Sequence, residues 1–364
     1  MVEKEKENFM TKKWTPISFK PDDLQELGYF FKKVYTGIGN YGTMELFHWK
    51  IIDNPVYRGI INLIKDGGQI ASTTSITPKR ALVKGREYIV AEIGDTYTDP
   101  QYQRQGMFTL LINKSTEDAL SLGIQLVYGT PNNQSLPGYE KKANYKKTGA
   151  IQVRSLVIPL NITNQIQRRT HWLIGNFVGC IYSIFSYGNY LYRRAMTVDQ
   201  ETTIEEPEHL SADWDEFWNE SRREYDFIFA RDRRALTWRF VKNPNRYKIY
   251  ILKKEKKIIG YVAYRIIFSE EDTTLIVSDF LFLPGNEHYL LSIMSKILED
   301  ALNANVSKIN VWCPIESPYY KFFKQYGFID RSDIPVIFFR NEFALNVQEN
   351  CRRWHFTISD SDNV

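Results

Sequence analysis

The stretch "DTYTDPQYQRQGMFTLL", residues 95–111, closes a β-branched run on a carboxylate, passes a proline and a turn bearing glutamine and arginine, and opens an apolar run after one glycine. Pro100 stops ladder pairing because it has no amide proton. The stretch reads as a strand, a tight turn over 103–106, and a helix that begins near Gly106 or Met107. A helix start leaves several amides without intrahelical partners and carries the positive end of the dipole. One glycine is too few for a dinucleotide fingerprint, yet it lets an anion approach those amides closely. Arg104 adds positive charge beside them. An ordinary strand–turn–helix connection with a polar cap fits the same residues, so this stretch alone leaves both readings open.

The rest of the chain repeats its surroundings. Residues 45–72, "ELFHWKIIDNPVYRGIINLIKDGGQIAS", are echoed by residues 234–261, "RALTWRFVKNPNRYKIYILKKEKKIIGY". Trp49 falls on Trp238, Lys50 on Arg239, Asn54 on Asn243 and Pro55 on Pro244, at a constant offset of 189. Downstream, "VAEIGDTYTDP" lies near the position of "LIVSDFLFLPG". Residues 126–145 match 308–328, with Pro131 on Pro314 at an offset of 183. Each copy reads hairpin, strand, helix, strand, helix, strand, with amphipathic helices over about 107–122 and 287–304. Two related domains follow, not a solenoid. The expected division is 1–165 for the first domain, 166–200 for a linker, and 201–364 for the second. The linker contains 171–192, a run free of Asp, Glu, Lys and Arg that reads as an interdomain or dimer-contact helix, with membrane contact as the alternative.

Composition narrows the function. The 364 residues carry a net charge of only +4, and 15% are aromatic. There is no concentrated basic stripe of the kind nucleic-acid binding needs. Three scattered cysteines form no metal or disulfide pattern, no histidines stand at metal-ligand spacing, and no apolar leader follows Met1. A cytoplasmic protein without a metal, monomeric or homodimeric, is the expectation.

The order Gln103-x-x-Gly106, helix, strand over 124–129, Asn133, Tyr139 and "YKKTGAI" resembles the GNAT family of acyl-CoA-dependent N-acyltransferases. That resemblance implies an α/β (α+β) fold of two tandem GNAT-like domains, each a mixed, largely antiparallel splayed sheet flanked by helices. It implies that Gln103, Arg104, Gln105, Gly106, Met107 and Phe108, with Asn133, hold the coenzyme A of an acetyl- or short hydroxyacyl-CoA between strands 88–95 and 124–130. Phe108 stands where the family has Gly or Ala, and the spacing after Tyr139 is one residue long. The second copy resembles the family in "SPYYKFFKQYGF", but "LPGNEHYLL" replaces the pyrophosphate turn and brings Glu287. Only the first copy is expected to bind the donor, the second forming a far wall for the acceptor. The chain also resembles bacterial tandem enzymes that acylate nucleotide-linked amino sugars, in "LFHWKIIDNP", "PNNQSLPGYEKKANY" and "FTISDSD". The alternatives are an aminoglycoside, peptide or protein amine, or a membrane-associated binding protein without activity.

Acyl transfer to an amine needs a neutral nucleophile, stabilisation of the thioester oxygen and a proton for the thiolate. A backbone amide near Asp95 to Tyr97 is the expected oxyanion donor. Asp95 is the first candidate base, with an Asx cap before Pro100 as its other role. Glu92 is the second candidate, and regular alternation places it on the opposite face. Tyr139 is the candidate proton donor or a helix packing residue. Trp49 and Lys50 are candidates for the acceptor pocket, although recurrence of the tryptophan in both copies also fits packing. Asp360 and Asp362 are candidates for holding the acceptor amine, or solvated terminal carboxylates. Nothing suggests a covalent nucleophile, so direct transfer is expected.

Overall fold

The computed structural model describes residues 14–34, 43–161, 188, 201–269 and 272–361. The run 171–192, Gly188 apart, and Asp362 lie outside the described residues. Among those described, no helix is long and apolar enough to cross a membrane.

The first copy contains β1 (Ile17–Ser18), α1 (Leu24–Val34), α2 (Met44–Phe47), β2 (Ile60–Asp66), β3 (Gln69–Val83), β4 (Arg86–Thr98), α3 (Met107–Ser121), β5 (Leu126–Gly129), α4 (Leu136–Lys142), β6 (Tyr145–Lys147) and β7 (Val153–Pro159). The second contains β8 (Thr202–Glu205), α5 (Asp213–Ser221), β9 (Phe227–Phe229), α6 (Arg233–Leu236), β10 (Lys248–Lys254), β11 (Lys257–Phe268), β12 (Thr273–Phe282), α7 (Leu290–Asn303), β13 (Lys308–Pro314), α8 (Pro318–Tyr326), β14 (Ile329–Ile334), β15 (Ile337–Phe339), α9 (Glu342–Asn350) and β16 (Trp354–His355). The expected order of hairpin, strand, helix, strand, helix, strand is present twice.

The repeat extends to local detail. Thr43 caps α2 by accepting from the Leu46 amide at 3.3 Å, and Asp232 caps α6 by accepting from Ala235 at 2.8 Å. Each short helix widens into a π turn, His48–Ile52 and Thr237–Val241. Asn54 and Asn243 then close each turn, donating to the carbonyls of Lys50 and Arg239 and accepting the amide two residues on at 2.9 Å. Asparagine before proline is suited to this, since its side chain replaces the backbone partners that proline removes.

The two sheets do not stay within their copies. The first runs β1-β2-β3-β4-β5-β15-β6, with β9 on the far half of β3 and β16 on β9. The second runs β14-β7-β13-β12-β11-β10-β8. Thus β7, from before the 166–200 segment, lies between β13 and β14, while β15 from after it lies between β5 and β6. Both sheets are mostly antiparallel, with parallel pairs β4–β5, β12–β13 and β9–β16. Burial of Ile93, Ile112, Val127 and Tyr145 under α3 and α4 holds one face of the first sheet. Phe227, Phe338, Val347 and Trp354 cover the other.

Candidate active site

Two interruptions in β4 build the site. The ladder with β3 pairs Ser75 with Gly94 and then Thr73 with Tyr97, so Asp95 and Thr96 oppose Thr74 alone. This is a β-bulge, which takes ladder amides out of pairing and re-aims side chains. Asp95 enters the left-handed region at φ +45°. The second interruption is a splay: β4 pairs with β5 only through Val90–Leu126, Ala91–Val127 and Glu92–Tyr128. Beyond Glu92 the strands part. A cleft of about 550 Å³ opens between residues 93–97 on one bank and 129–133 on the other. Trp312 and residues 332–335, from the second copy, form its outer wall. At the root of the splay a Cβ on Gly129 would sit 3.2–3.3 Å from Ile93, so the strands part from a very close contact.

Asp95 lines the cleft and is held from behind. Lys50 Nζ is 2.6 Å from its carboxylate, and Ser75 Oγ donates to the same oxygen at 2.7 Å. Lys50 is only 7% exposed, so it orients Asp95 and does not stand open to a substrate phosphate. Glu92 also lines the cleft. Regular alternation would separate it from Asp95, but the backbone leaves extended geometry at the bulge and the rule fails there. Glu92 is buried and paired with Lys79 at 2.7 Å, and Lys79 also donates to Tyr128 Oη at 3.0 Å and to the Asp360 carbonyl at 2.9 Å.

Tyr139, on α4, reaches the bulge from across the cleft. Its hydroxyl lies 3.2 Å from Thr96 Oγ1, which is bonded in turn to Thr74 Oγ1. Burial holds the phenol far above its ordinary value; the Thr96 contact opposes this, and the nearby Glu92 and Asp95 charges add to it. The hydroxyl therefore stays protonated and can donate. Phe108 packs edge-on against the Tyr139 ring at 5.2 Å.

The turn before α3 takes the expected form. Gly106 precedes the helix at φ +84° with nothing within 4 Å of an added Cβ, and Arg104 is also left-handed at φ +63°. Residues 103–106 are exposed, while Met107 is buried and anchors the helix start. Gln105 is braced by Trp14, whose indole nitrogen donates to Oε1 at 3.1 Å. Gln103 Nε2 donates to the Thr98 carbonyl at 3.4 Å. The first-turn amides of α3 are left for an anion. Asn133 lines the cleft beside Asn132, whose side-chain oxygen accepts the Gln134 and Ser135 amides in the turn ahead of α4.

Two candidates for the acceptor lie elsewhere. Trp49 is stacked on Trp238 at the seam between the copies and does not line the cleft. The Asp360 carboxylate is not frayed or free. It accepts from Arg231 at 2.7 Å and from the Thr357 amide at 2.8 Å, and it is 3% exposed. Its carbonyl instead reaches the first copy, through Lys79 and Tyr128, and Ser361 Oγ lies 2.6 Å from Thr130 Oγ1 beside Glu92.

In the second copy Tyr319 Oη accepts the Phe282 amide at 2.9 Å, and the neighbouring pocket is lined by Glu224, Glu287 and Glu316 together with Arg352 and Arg353. Among the described residues no group of three or more metal-ligating side chains converges.

Residues 17–146 match the model of an acetyltransferase (GNAT) domain. No curated protein matches the chain. Among solved structures the chain is similar to a GCN5-related N-acetyltransferase from Anabaena variabilis ATCC 29413, at 14% identity and TM-score 0.59, covering 90% of this chain and 72% of that one. It is similar to N-myristoyltransferase of Saccharomyces cerevisiae with bound myristoyl-CoA, at 12% identity and TM-score 0.61, covering 90% and 83%. A probable N-acyltransferase from Enterococcus faecalis V583 shares 13% identity at TM-score 0.58, covering 90% and 72%. The domain match identifies residues 17–146 as similar to acetyltransferase domains, and the solved structures share the fold of the chain.

Proposed function

We propose that the first copy binds acyl-CoA and that the chain acylates the amino group of a nucleotide-linked amino sugar by direct transfer. The observation that carries the acyl-transfer reading is the convergence of bulge, splay and turn: Asp95 and Tyr139 face each other across the cleft in which residues 103–108 and Asn133 would hold the coenzyme. Asp95, fixed by Lys50 and Ser75, takes the proton of the attacking amine. Bulge amides at Asp95 to Tyr97 stabilise the oxygen of the tetrahedral intermediate. Tyr139 returns a proton to the departing thiolate. Trp312 and residues 332–335 shape the acceptor side. The amino-sugar acceptor rests on the sequence resemblance, which also motivates assigning two copies to one bound pair of substrates.

Calorimetry with acetyl-CoA should give one site per chain, and absence of binding would remove the donor assignment. Turnover of UDP- and dTDP-amino sugars against aminoglycosides and peptide amines then separates the acceptors. Activity confined to the latter two would discard the sugar and keep the transferase.

A further inference from the structure

A second cleft, of about 690 Å³, opens at the seam between the two copies. Its lining comes in pairs. Glu45 and Arg234, Trp49 and Trp238, Asp53 and Lys242, and Pro55 and Pro244 all line it, and the members of each pair stand 189 residues apart. The elements that carry them correspond as well, α2 with α6 and the π turn His48–Ile52 with Thr237–Val241. The cleft therefore lies on the local twofold that relates the copies, with the stacked tryptophans at its axis.

The backbone keeps that twofold and the charge does not. Where the first copy places Glu45 and Asp53, the second places Arg234 and Lys242, and Arg233 adds a further cation beside them. One bank is acidic and the other basic, and all five residues are exposed. Arg234 donates to the Pro55 carbonyl, and Arg233 lies 3.7 Å from Asp215. Among the described residues, the side chains of Glu45, Asp53 and Lys242 form no ion pair.

Two features choose between a small ligand and a protein partner. The indole N–H groups are committed to each other's carbonyls, at 2.7 and 3.0 Å, so the stacked pair offers a small molecule no donor to orient it. Ion pairs between exposed groups each contribute little and are screened by salt, so one small dipolar molecule gains little from the banks. A second copy of this chain engages both banks together. A dyad running along the cleft lays the acidic bank of one chain over the basic bank of the other and repeats every contact. A dyad running across the cleft lays like charge on like. Charge thus selects one docking geometry.

We infer that this face is a self-complementary interface between two copies of the chain, with Glu45 and Asp53 of one set against Arg233, Arg234 and Lys242 of the other. It shares no lining residue with the cleft beside Asp95 and does not depend on acyl transfer.

The test is sedimentation velocity of the full chain over a concentration series. Wild type should show a monomer–dimer equilibrium at about 0.05 M salt, with a dissociation constant at least about tenfold higher at about 0.5 M. Glu45→Arg with Asp53→Lys makes both banks basic and should abolish the dimer. Arg233→Glu with Lys242→Glu makes both banks net acidic and should do the same. Mixed in equal amounts, the two variants should form a heterodimer. The first variant changes only exposed side chains outside any ion pair, so it carries the test even where the second loses stability. A wild type that stays monomeric throughout the low-salt series, a dimer that the first variant leaves intact, or no heterodimer from two folded variants would each overturn the interface.

Discussion

Trp49 and Trp238 lie face to face, ring centroids 4.6 Å apart and 14° from parallel, and each donates its indole N–H to the other's carbonyl, at 2.7 and 3.0 Å. The pair is a local twofold at the seam of the two copies, extended by Arg239 over both rings. Replacing either tryptophan by alanine should cost about 3–5 kcal/mol. The double variant should cost clearly less than the sum, since each substitution orphans the other's hydrogen bond. Urea unfolding of the four proteins measures this; strict additivity would mean that the two rings do not support each other.

Glu92 and Lys79 make a second prediction. Both are nearly buried, 2% and 6% exposed, and each neutralises the other. Glu92→Gln strands a buried ammonium and should lose about 3–5 kcal/mol, whereas Lys79→Met with Glu92→Leu should come much closer to wild type. Acyl transfer that survives in the double variant assigns Glu92 to structure. A stable but inactive double variant would move the base from Asp95 to Glu92.

Asp95→Asn keeps the shape of the bulge and can still bond Ser75. We expect kcat to fall by about 10²–10⁴ with acyl-CoA affinity little changed. Full activity would remove Asp95 from the chemistry. Tyr139→Phe should lower kcat with a loss of only about 1 kcal/mol in stability, the value of its Thr96 contact.

At Gly106 the backbone is left-handed, so Gly106→Val carries roughly 1–2 kcal/mol of strain, which is relieved by moving the turn ahead of α3 out of its present form. The dissociation constant for coenzyme A should rise at least about tenfold, measured calorimetrically. Equal affinity would place the pyrophosphate elsewhere.

Acid stability tests the buried network around Arg231. Burial, and then the Arg231 charge, hold His355 below its ordinary imidazole value, partly offset by Asp279. The unfolded chain therefore binds the proton more readily. The contribution of His355 is complete above the ordinary value and is lost as pH falls below it. Asp279, which burial pushes up, is nevertheless held well below the usual carboxylate range, chiefly by Arg231. Its contribution is lost at lower pH still. Unfolding free energies between about pH 8 and pH 5 should decline in wild type and flatten in His355→Phe. An unchanged slope would exclude the histidine.

Much of this was legible in the chain because it is written locally. Proline, glycine and asparagine punctuate the turns, so the 103–106 turn, the Asn–Pro turns and the element order of both copies follow from neighbouring residues. The partnerships across the sheet do not. Lys79 reads as an ordinary strand position and Glu92 as a candidate base until the β3–β4 register brings the two within reach of each other. Asp360 reads as a terminal carboxylate until Arg231 is found opposite. The bulge at Asp95 has no composition of its own, and it overrides the alternation that set Glu92 and Asp95 apart. Which sheet β7 and β15 would join depends on edges that only the folded halves offer.

The exchange of β7 and β15 has a consequence for how the molecule is made. A ribosome has released neither β9, β15 nor β16 when β1 to β6 are complete. The nascent first sheet then has β5 and β6 held apart by a vacant lane that only residues 337–339 fill. Until then the cleft beside β5 lacks one of its supports and strand edges stand open to wrong partners. The repeated halves are thus two units in sequence and one by assembly, and the first sheet is completed last, when residues 337–339 arrive.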